Sequence, residues 1–486
     1  MKKFYSLLLT AVALPLLWSC GGDDPEDNHG EQPATASLVL RSQSIAEGAE
    51  LNADDVQTLT LTYNTLVSVS SSADIRLNGT SLKATSNATT AMSVDIALTL
   101  EEGTSYTLKI AEGAFVARDN NKQVSPELTI HFTTREKAKP VNPDIAQAPV
   151  AATTDAAQKL YSYLVGQYGQ KTISSIMADV NWNHKIADQV GAAVGKYPAM
   201  NCYDFIHIYV PKNNWIDYTN ISPVTEWANA GGIVQLMWHF NVPLSETTTP
   251  GSDGSGVTCT PTETTFKASN ALVSGTWENK WFYEQMDKVV SVILQLQDAG
   301  IAATWRPFHE AAGNATAKQQ ASWTKSWFWW GYDGAETYKQ LWHAMFDYFK
   351  QKGVKNLIWV WTTQNYNGNA DTYNQDTDWY PGSEYVDIVA RDIYPNSGQS
   401  ATDIVSGNTQ EFLEIQAAYP NKMVALGECG NNSGVSYPNM SKVWSAGAHW
   451  SFFMVWYGSN MTDTAWWTDA LNDANVITRE QLPSLK

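Results

Sequence analysis

The chain has 486 residues, 43% of them hydrophobic, and is therefore long enough for two or more domains with packed cores. Its net charge is -18, and no segment is rich in Lys and Arg. This composition argues against a nucleic-acid-binding groove, because phosphate binding requires clustered cations. An anionic polysaccharide would be repelled by the same charge, so a neutral substrate fits better.

Residues 1–20 have the pattern of an export signal peptide. Lysines precede an apolar run that Pro15 breaks, and the segment ends on a small residue and Cys20. The LWSC ending resembles the lipobox of bacterial lipoproteins, in which the cysteine is lipidated. Residues 21–36 form a polar, acidic tether that resembles the export tag of Bacteroidetes surface lipoproteins. We expect a lipid anchor at Cys20 in the outer membrane, facing the extracellular side; a plain secreted protein is the alternative.

Residues 37–134 contain short alternating strands separated by turn signals, which predicts a small antiparallel β-sandwich. They resemble the bacterial immunoglobulin-like modules that precede catalytic domains. The module has few aromatic side chains for stacking on sugars, which favours a spacer over a carbohydrate-binding module. Residues 135–149 contain several prolines and predict a short, stiff linker.

A differently built domain, residues 150–486, follows the linker. Apart from Trp18, every tryptophan of the chain lies between Trp182 and Trp467. Strand-like and helix-like patterns alternate eight times, which predicts an α/β fold, a (β/α)8 TIM barrel. The predicted strands lie near residues 172–177, 196–203, 232–239, 301–309, 355–362, 386–393, 422–428 and 450–456. Amphipathic segments between strands end in Gly, as helices often do.

Two glutamates each stand at the end of a buried strand pattern. Glu310 ends IAATWRPFHE in the fourth predicted strand, and Glu428 ends the apolar run of MVALGECG in the seventh. Both are expected in one pocket, because the carboxyl ends of barrel strands open onto the same face. Such a pair suits hydrolysis of a glycosidic bond. One carboxyl group must keep its proton for the leaving oxygen, and the other must be ionised to attack or stabilise the sugar.

Strand alternation places Arg306, Phe308 and Glu310 on one face of the fourth strand. The positive charge of Arg306 favours ionised neighbours, and Glu428 could benefit as readily as Glu310. An ion pair in the barrel core without a part in the chemistry explains the arginine equally well. No metal-binding spacing such as HExxH or CxxC occurs, and no cofactor is expected.

The cysteines offer little chemistry. If Cys20 is lipidated, three remain, and an odd number cannot all pair within one chain. Cys202 and Cys429 lie in apolar strand patterns, which predicts buried free thiols. Cys259 lies in a polar loop and could pair only if the fold brought another cysteine to it.

Several motifs of the barrel region together resemble glycoside hydrolase family 26, whose best-known members are endo-β-1,4-mannanases. They are WRPFHE at 305–310, WFWWG at 327–331, ALVSGTWENKW at 271–281 and the pair Trp238-His239. The resemblance extends from about residue 153 to 470. It implies a (β/α)8 barrel, retention at the anomeric carbon, Glu310 as acid/base and Glu428 as nucleophile.

The resemblance also implies contacts with the substrate. His309 and His239 resemble two histidines that line the subsite of the cleaved sugar. Tyr394 resembles a tyrosine that contacts the nucleophile, and Asp392 shares its strand face. Trp456 resembles the platform under the central sugar, since flat aromatic faces suit the apolar faces of pyranose rings.

Two long polar loops flank the predicted cleft. Residues 311–326 separate Glu310 from Trp327, a longer interval than the family pattern has. We expect Trp327 to bind substrate and the rest of its aromatic run to be divided between cleft and core. The loop at residues 245–265 is also long, and the two loops could face each other across the cleft and reshape subsites without touching the chemistry.

Three hypotheses follow. The leading one is a surface-anchored endo-β-1,4-mannanase acting on plant mannan, glucomannan or galactomannan. The second keeps the mechanism but changes the polymer to β-1,3-xylan or mixed-linkage β-glucan. The third is a non-catalytic lipoprotein that captures glycans, although a pure binder need not keep both glutamates. We expect a monomer that associates with surface glycan-uptake proteins and binds no nucleic acid.

Overall fold

The computed structural model describes residues 38–486 except 52, 54–55, 57, 87–90, 102, 120–122, 135–141, 143, 214, 314–325, 365–375, 397, 431–436, 457 and 459–460. The chain divides into two compact units, with the division between Lys139 and Pro140. The predicted signal peptide, Cys20 and the acidic tether lie outside the described residues, so the lipid anchor stays a prediction. Within the described ranges, no helix is both long and apolar enough to cross a bilayer.

The first unit is a β-sandwich. Its strands are β1 (Leu40–Gln43), β2 (Ala49–Leu51), β3 (Thr58–Tyr63), β4 (Val67–Val69), β5 (Ile75–Leu77), β6 (Thr80–Ser81), β7 (Ala84–Ser86), β8 (Ser93–Ala97), β9 (Ser105–Ile110), β10 (Phe115–Ala117) and β11 (Leu128–Thr134). One sheet has the order β1-β3-β8-β7, a second has the order β2-β11-β9-β5-β6, and β4 pairs with β10.

Period-two burial explains why these segments pack as a sandwich. In β3, Leu59, Leu61 and Tyr63 are buried while the residues between them are more accessible. They share one core with side chains of both larger sheets. Asn78 and Gly79 connect β5 to β6 with φ of 45° and 85°, the left-handed pair that an Asn-Gly hairpin turn requires.

The second unit is a barrel of parallel strands. Its strands are β12 (Thr172–Met177), β13 (Met200–Asp204), β14 (Ile233–Trp238), β17 (Ala303–Pro307), β18 (Leu357–Thr363), β19 (Ile388–Ile393), β20 (Met423–Cys429) and β21 (Phe452–Val455), with short strands β15 (Val242–Pro243), β16 (Val257–Thr258) and β22 (Val476–Ile477). Its helices are α1 (Asp155–Gln167), α2 (Lys185–Val194), α3 (Ser222–Asn229), α4 (Trp277–Asp298), α5 (Trp329–Tyr332), α6 (Ala335–Gln351), α7 (Ala401–Ala418), α8 (Met440–Ser445) and α9 (Thr464–Asn472).

Pairing between the first two barrel strands closes the sheet. The strands follow the order β13-β14-β17-β18-β19-β20-β21-β12, and β12 also pairs with β13. Short β22 adds to the start of β12 in parallel. Every residue of β12, β14 and β18 is buried, as expected for parallel strands covered on both faces.

The surrounding helices follow from their apolar stripes and end signals. Helix α4 begins at an N-cap, Thr276, whose side chain accepts a hydrogen bond from the backbone N–H of Asn279. Its buried face includes Phe282, Met286, Val289, Ile293 and Leu296, which recur every three or four residues. Gly300 and Gly353, the glycines predicted to end α4 and α6, adopt left-handed φ of 72° and 85°.

The predicted fold class, a (β/α)8 barrel preceded by an all-β sandwich, is confirmed. The eight predicted barrel strands correspond to the eight observed ones, with ends that differ by a few residues. The difference that matters most for the site is at the end of β17, which ends at Pro307 rather than at the predicted residue 309. Glu310 therefore lies beyond the regular strand, and the backbone between them takes an irregular path.

Candidate active site

The carboxyl ends of the barrel strands bring most of the predicted site residues together. Arg306 lies in β17, Asp392 in β19 and Glu428 in β20. His239, Tyr394 and Trp456 immediately follow β14, β19 and β21. Their side chains meet at one mouth of the barrel, where the loops that follow the strands also gather.

Arg306 is the centre of a buried charge network. Its Nη1 donates to Asp392 Oδ2 at 2.9 Å and to Thr362 Oγ1 at 3.2 Å. Its Nη2 donates to Glu428 Oε1. The guanidinium is completely buried, so its charge is compensated by two carboxylates rather than by water. Arg306 therefore forms an ion pair in the barrel core, and one of its two partners is the predicted nucleophile, Glu428.

A second hydrogen bond fixes the other oxygen of Glu428. The hydroxyl of Tyr394 donates to Glu428 Oε2 at 2.5 Å. Both carboxylate oxygens therefore accept hydrogen bonds, one from a cation and one from a phenol. Burial raises the pKa of the Tyr394 hydroxyl well above its ordinary value, and the negative charge of Glu428 acts in the same direction.

A bulge in β20 aims Glu428 into the barrel. Along the pairing with β19, Arg391 lies opposite Leu426 but Asp392 lies opposite Glu428, so Gly427 is the extra residue. A Cβ on Gly427 would lie 2.6 Å from Oδ1 of Asp392. Only glycine fits there without displacing a carboxylate that Arg306 binds.

Glu310 reaches the same pocket by a strained backbone. Phe308 and Glu310 have φ of 48° and 51°, in the left-handed region that side-chain-bearing residues rarely adopt. The prediction that Arg306, Phe308 and Glu310 share one face is wrong for Phe308. The regular strand ends before it, and its ring packs at 6.3 Å from Phe282 on α4 and at 6.1 Å from Phe240.

The surroundings of Glu310 differ from those of Glu428. Its Oε2 accepts a hydrogen bond from Nε1 of Trp327 at 3.1 Å. Burial raises the pKa of Glu310 well above its ordinary value, and the negative charges of Asp392 and Glu428 add to this effect. Arg306 and the Trp327 N–H oppose it. The environment thus favours a protonated Glu310 near neutral pH.

Oxygens of Glu310, Asp392 and Glu428 lie within 4.8 Å of one another. Among the described residues, this is the group that could hold a cation with three carboxylates. Arg306 already binds two of the three and supplies the positive charge that such a group needs. Burial raises the pKa of Asp392 to about 7, whereas Arg306 acts to lower it.

Two histidines form a chain that ends on a carboxylate. His309 Nε2 lies 3.1 Å from His239 Nε2, and His239 Nδ1 lies 2.5 Å from Oδ2 of Asp204. The backbone N–H of His239 also donates to Asp204 Oδ1 at 2.9 Å. Burial lowers the pKa of His309 well below its ordinary value, and His239 and Arg306 add to this, so its ring is neutral.

Asp204 was missed in the sequence. It ends β13, where Met237 of β14 lies opposite it, so its carboxylate meets the turn that carries His239. The sequence carried a signal for it: the buried run MNCYD ends on an acidic residue, as the apolar runs that lead to Glu310 and Glu428 also do. Asp204 holds the orientation of His239 and through it that of His309.

The aromatic residues around the site differ in burial. Trp329 and Trp330 are buried, and their indole N–H groups donate to Phe240 O at 2.6 Å and to His309 O at 3.0 Å. Trp327 and Phe328 are half-buried, and Trp327 contacts Glu310. Trp456 is half-buried with its ring 5.5 Å from that of His239.

The loops at the rim are only partly described. Residues 314–325, most of the predicted insertion after Glu310, lie outside the described residues, so whether it faces the loop at 245–265 stays untested. That second loop contacts the aromatic run, because the N–H of Trp329 donates to Cys259 O at 3.0 Å. The cysteines at 202, 259 and 429 are free thiols, and the first and last are buried as predicted.

Comparison with known proteins decides the family. A model of glycosyl hydrolase family 26 matches residues 150–480, which include the whole barrel from α1 to β22. The chain belongs to this family. The resemblance seen in the sequence motifs is confirmed.

Solved structures of the family superpose on the barrel. The GH26 domain of an endo-beta-mannanase/endo-beta-glucanase from Prevotella bryantii is 56% identical, with a TM-score of 0.66, and the match covers 69% of this chain and 99% of that one. A beta-mannanase from a symbiotic protist of the termite Reticulitermes speratus, complexed with gluco-manno-oligosaccharide, is 31% identical with a TM-score of 0.54, over 70% of this chain and 98% of that one.

Among curated proteins, a mannan endo-1,4-beta-mannosidase of Thermothelomyces thermophilus is 30% identical over 316 residues, which are 64% of this chain and 57% of that protein. Mannan endo-1,4-beta-mannosidase A of a Piromyces species is 28% identical over 68% of this chain and 49% of its own length. The chain thus spans about half the length of these curated relatives.

Proposed function

We propose that this protein is a retaining endo-β-1,4-mannanase in which Glu310 is the acid/base and Glu428 the nucleophile. One observation carries the proposal: two carboxyl groups lie close together at the barrel mouth in opposite surroundings. Glu428 is bound by Arg306 and the Tyr394 hydroxyl, whereas Glu310 has a raised pKa and accepts only an indole N–H among the described contacts.

The spacing supports retention. An oxygen of Glu310 lies within 4.8 Å of one of Glu428. Retaining glycosidases separate the two groups by about 5–5.5 Å, whereas inverting enzymes need about 6.5–9.5 Å to admit a water. The shorter spacing leaves room for a sugar carbon to be attacked by one group while the other protonates the leaving oxygen.

The reaction then has two steps. In the first, Glu310 gives its proton to the glycosidic oxygen as that bond breaks, and an oxygen of Glu428 forms a bond to the anomeric carbon. In the second, ionised Glu310 takes a proton from water, which attacks the same carbon and releases Glu428. Arg306 and Tyr394 fix the orientation of the Glu428 carboxylate through both steps.

The substrate follows from the relatives and the cleft. The curated relatives are named for endo-1,4-β-mannan hydrolysis, and a solved relative is complexed with gluco-manno-oligosaccharide. A neutral polymer suits a chain of net charge -18. Half-buried Trp456, beside the ring of His239, offers a flat face for a pyranose. We propose a plant-type mannan, glucomannan or galactomannan as substrate.

A polysaccharide panel tests this function. We expect the enzyme to release short oligosaccharides from mannan and glucomannan early in the digest, with the β-anomer formed first when the new reducing end is followed by NMR. Preferential digestion of β-1,3-xylan or mixed-linkage β-glucan would move the proposal to the alternative substrates. Absence of hydrolysis of every polymer would favour a glycan-capturing protein.

We also propose that the enzyme acts from the outer surface of the outer membrane, anchored by lipid on Cys20, as a monomer near glycan-uptake proteins. The lipobox-like ending and the acidic tether support this location. Cys20→Ser should release the protein into the medium or periplasm. Cell fractionation and protease treatment of whole cells measure it, and unchanged membrane retention would contradict the anchor.

A further inference from the structure

The loop after β13, described at residues 205–213 and 215–221, presents an exposed indole at the mouth of the barrel. Trp215 exposes 45% of its surface, and among the large hydrophobic side chains that are exposed in the described residues it alone is aromatic. The loop follows a barrel strand, so it lies at the same end as Glu310 and Glu428. Covering the exposed part of this indole would be favourable, because it removes apolar surface from water, and a bound ligand could cover it.

Contacts between described residues on either side of Trp215 hold this part of the loop in place. Lys212 and Asp217 pair across the turn as an isolated β-bridge, with an ion pair at 3.3 Å. The backbone N–H of Asn213 donates to Ile216 O at 2.8 Å, and its side-chain amide donates to His207 O at 3.0 Å. The indole is therefore presented in advance, and binding need not order the turn.

The same loop is anchored to the ends of β13 and β14, which carry Asp204 and His239. The hydroxyl of Tyr218 donates to Asp204 O at 2.7 Å, and the side chain of Asn241 donates to Ile206 O at 2.9 Å. His207 follows Asp204 by three residues, so their Cα atoms are at most about 11 Å apart. Because Asp204 binds His239, the loop begins beside the reacting centre.

Polar groups flank the indole. The ring of His207 lies 4.9 Å from that of Trp215 at an interplanar angle of 82°, and its Nδ1 lies 3.0 Å from the Tyr209 hydroxyl. Burial lowers the pKa of His207, so the ring is neutral at neutral pH. A Cβ on Gly254 would lie 3.6 Å from His207 and 3.7 Å from Trp215, so the neighbouring loop packs against both rings.

We propose that Trp215, with His207, forms an additional sugar subsite that binds a pyranose of the same polymer at a distance from the bond that is cut. A flat aromatic face with neutral hydrogen-bonding groups suits the apolar face and hydroxyls of a neutral hexose. The inference rests on the proposed function for the identity of the polymer. The subsite would contact a sugar only in substrates that are long enough to reach Trp215 from the bond that is cut.

Chain-length dependence of kcat/KM tests the subsite. The wild type and the variants Trp215→Ala, Trp215→Phe and Leu413→Ala are compared on β-1,4-linked manno-oligosaccharides of increasing length and on an activated aryl mannobioside. Leu413 on α7 is the matched control, since it is an apolar side chain of similar exposure. We expect Trp215→Ala to lower kcat/KM about tenfold on the longest substrates, equivalent to about 1.4 kcal/mol. The aryl mannobioside should react at the wild-type rate, and Trp215→Phe should recover part of the loss.

Each other result has a defined meaning. Equal kcat/KM of Trp215→Ala and wild type at every length would overturn the subsite and leave the proposed function intact. An equal loss at every length, or the same loss in Leu413→Ala, would also overturn it, because the effect would not depend on a distal sugar. If the wild type itself cleaves no β-mannan or manno-oligosaccharide, the proposed function fails before the subsite is tested. The same variants would then be compared by affinity electrophoresis on the polysaccharide that the enzyme does cleave, and undiminished retention of Trp215→Ala would overturn the subsite.

Discussion

The ends of β17 and β20 each place a glutamate at the barrel mouth, but by different means and in different surroundings. Glu428 stays within its strand and is turned inward by the Gly427 bulge, onto Arg306 and Tyr394. Glu310 lies three residues beyond the end of β17 on a left-handed backbone, with Trp327 as its hydrogen-bond donor. Two chemically identical side chains thus have different environments, as an acid and a nucleophile require, and burial raises the pKa of Glu310 well above its ordinary value.

The largest effect is expected from removing Glu428. Glu428→Ala should lower turnover by more than about 10⁴-fold on every substrate, because no other group can form the covalent bond. Binding of polymer, measured by affinity electrophoresis, should persist. Azide supplied with an activated aryl glycoside should yield the glycosyl azide of inverted configuration. Glu336→Ala, at an exposed position on α6, is the matched control. Hydrolysis near the wild-type rate by Glu428→Ala would refute its role.

Removing Glu310 should have an effect that depends on the leaving group. Glu310→Ala loses general-acid assistance, worth roughly 10²–10⁴ in rate, on polymers whose leaving group is a poor alkoxide. An aryl glycoside of a very acidic phenol departs without assistance, so the first step should stay fast and the second should slow. A pre-steady-state burst of phenol is expected from Glu310→Ala. Its appearance in Glu428→Ala instead would reverse the two assignments.

A smaller effect is expected at the histidine chain. Asp204→Asn keeps the size of the side chain but offers an amide where His239 Nδ1 now meets a carboxylate. The tautomer of His239 should change and misplace His309, at a cost of up to about 10²-fold in kcat. Ring nitrogen NMR shifts of His239 distinguish this from a loss of folding stability. Unchanged shifts together with reduced kcat would contradict the positioning role.

The smallest effect concerns pH. The Trp327 N–H donates to the Glu310 carboxylate and thereby stabilises its ionised form, which lowers its pKa. Without that bond the pKa rises, and Glu310 stays protonated to higher pH. Trp327→Phe should therefore move the basic limb of the kcat/KM profile to higher pH. A shift to lower pH would show that Glu310 does not set this limb.

The strand positions were predictable because buried parallel strands leave uninterrupted apolar runs such as LIWVWTT. The family motifs then led to Glu310 and Glu428. The orientation of Phe308 was not predictable, because strand alternation assumes a regular backbone and two residues here take positive φ. Asp204 could have been found as the acidic end of a buried run, but its contact with His239 depends on the pairing between β13 and β14, which spacing along the chain does not reveal. Gly427 left a readable signal, since glycine inside a strand often marks a bulge.

Mapping the covalent intermediate tests the difference between the two glutamates most directly. Glu310→Ala is incubated with an activated aryl β-mannobioside, quenched, digested with a protease and analysed by mass spectrometry. Because the second step lacks its base, the glycosyl-enzyme should accumulate, with the sugar attached to the peptide that contains Glu428 and specifically to that side chain. Attachment to Asp392 or any other residue, or release of the phenol without a covalent adduct, would contradict the account.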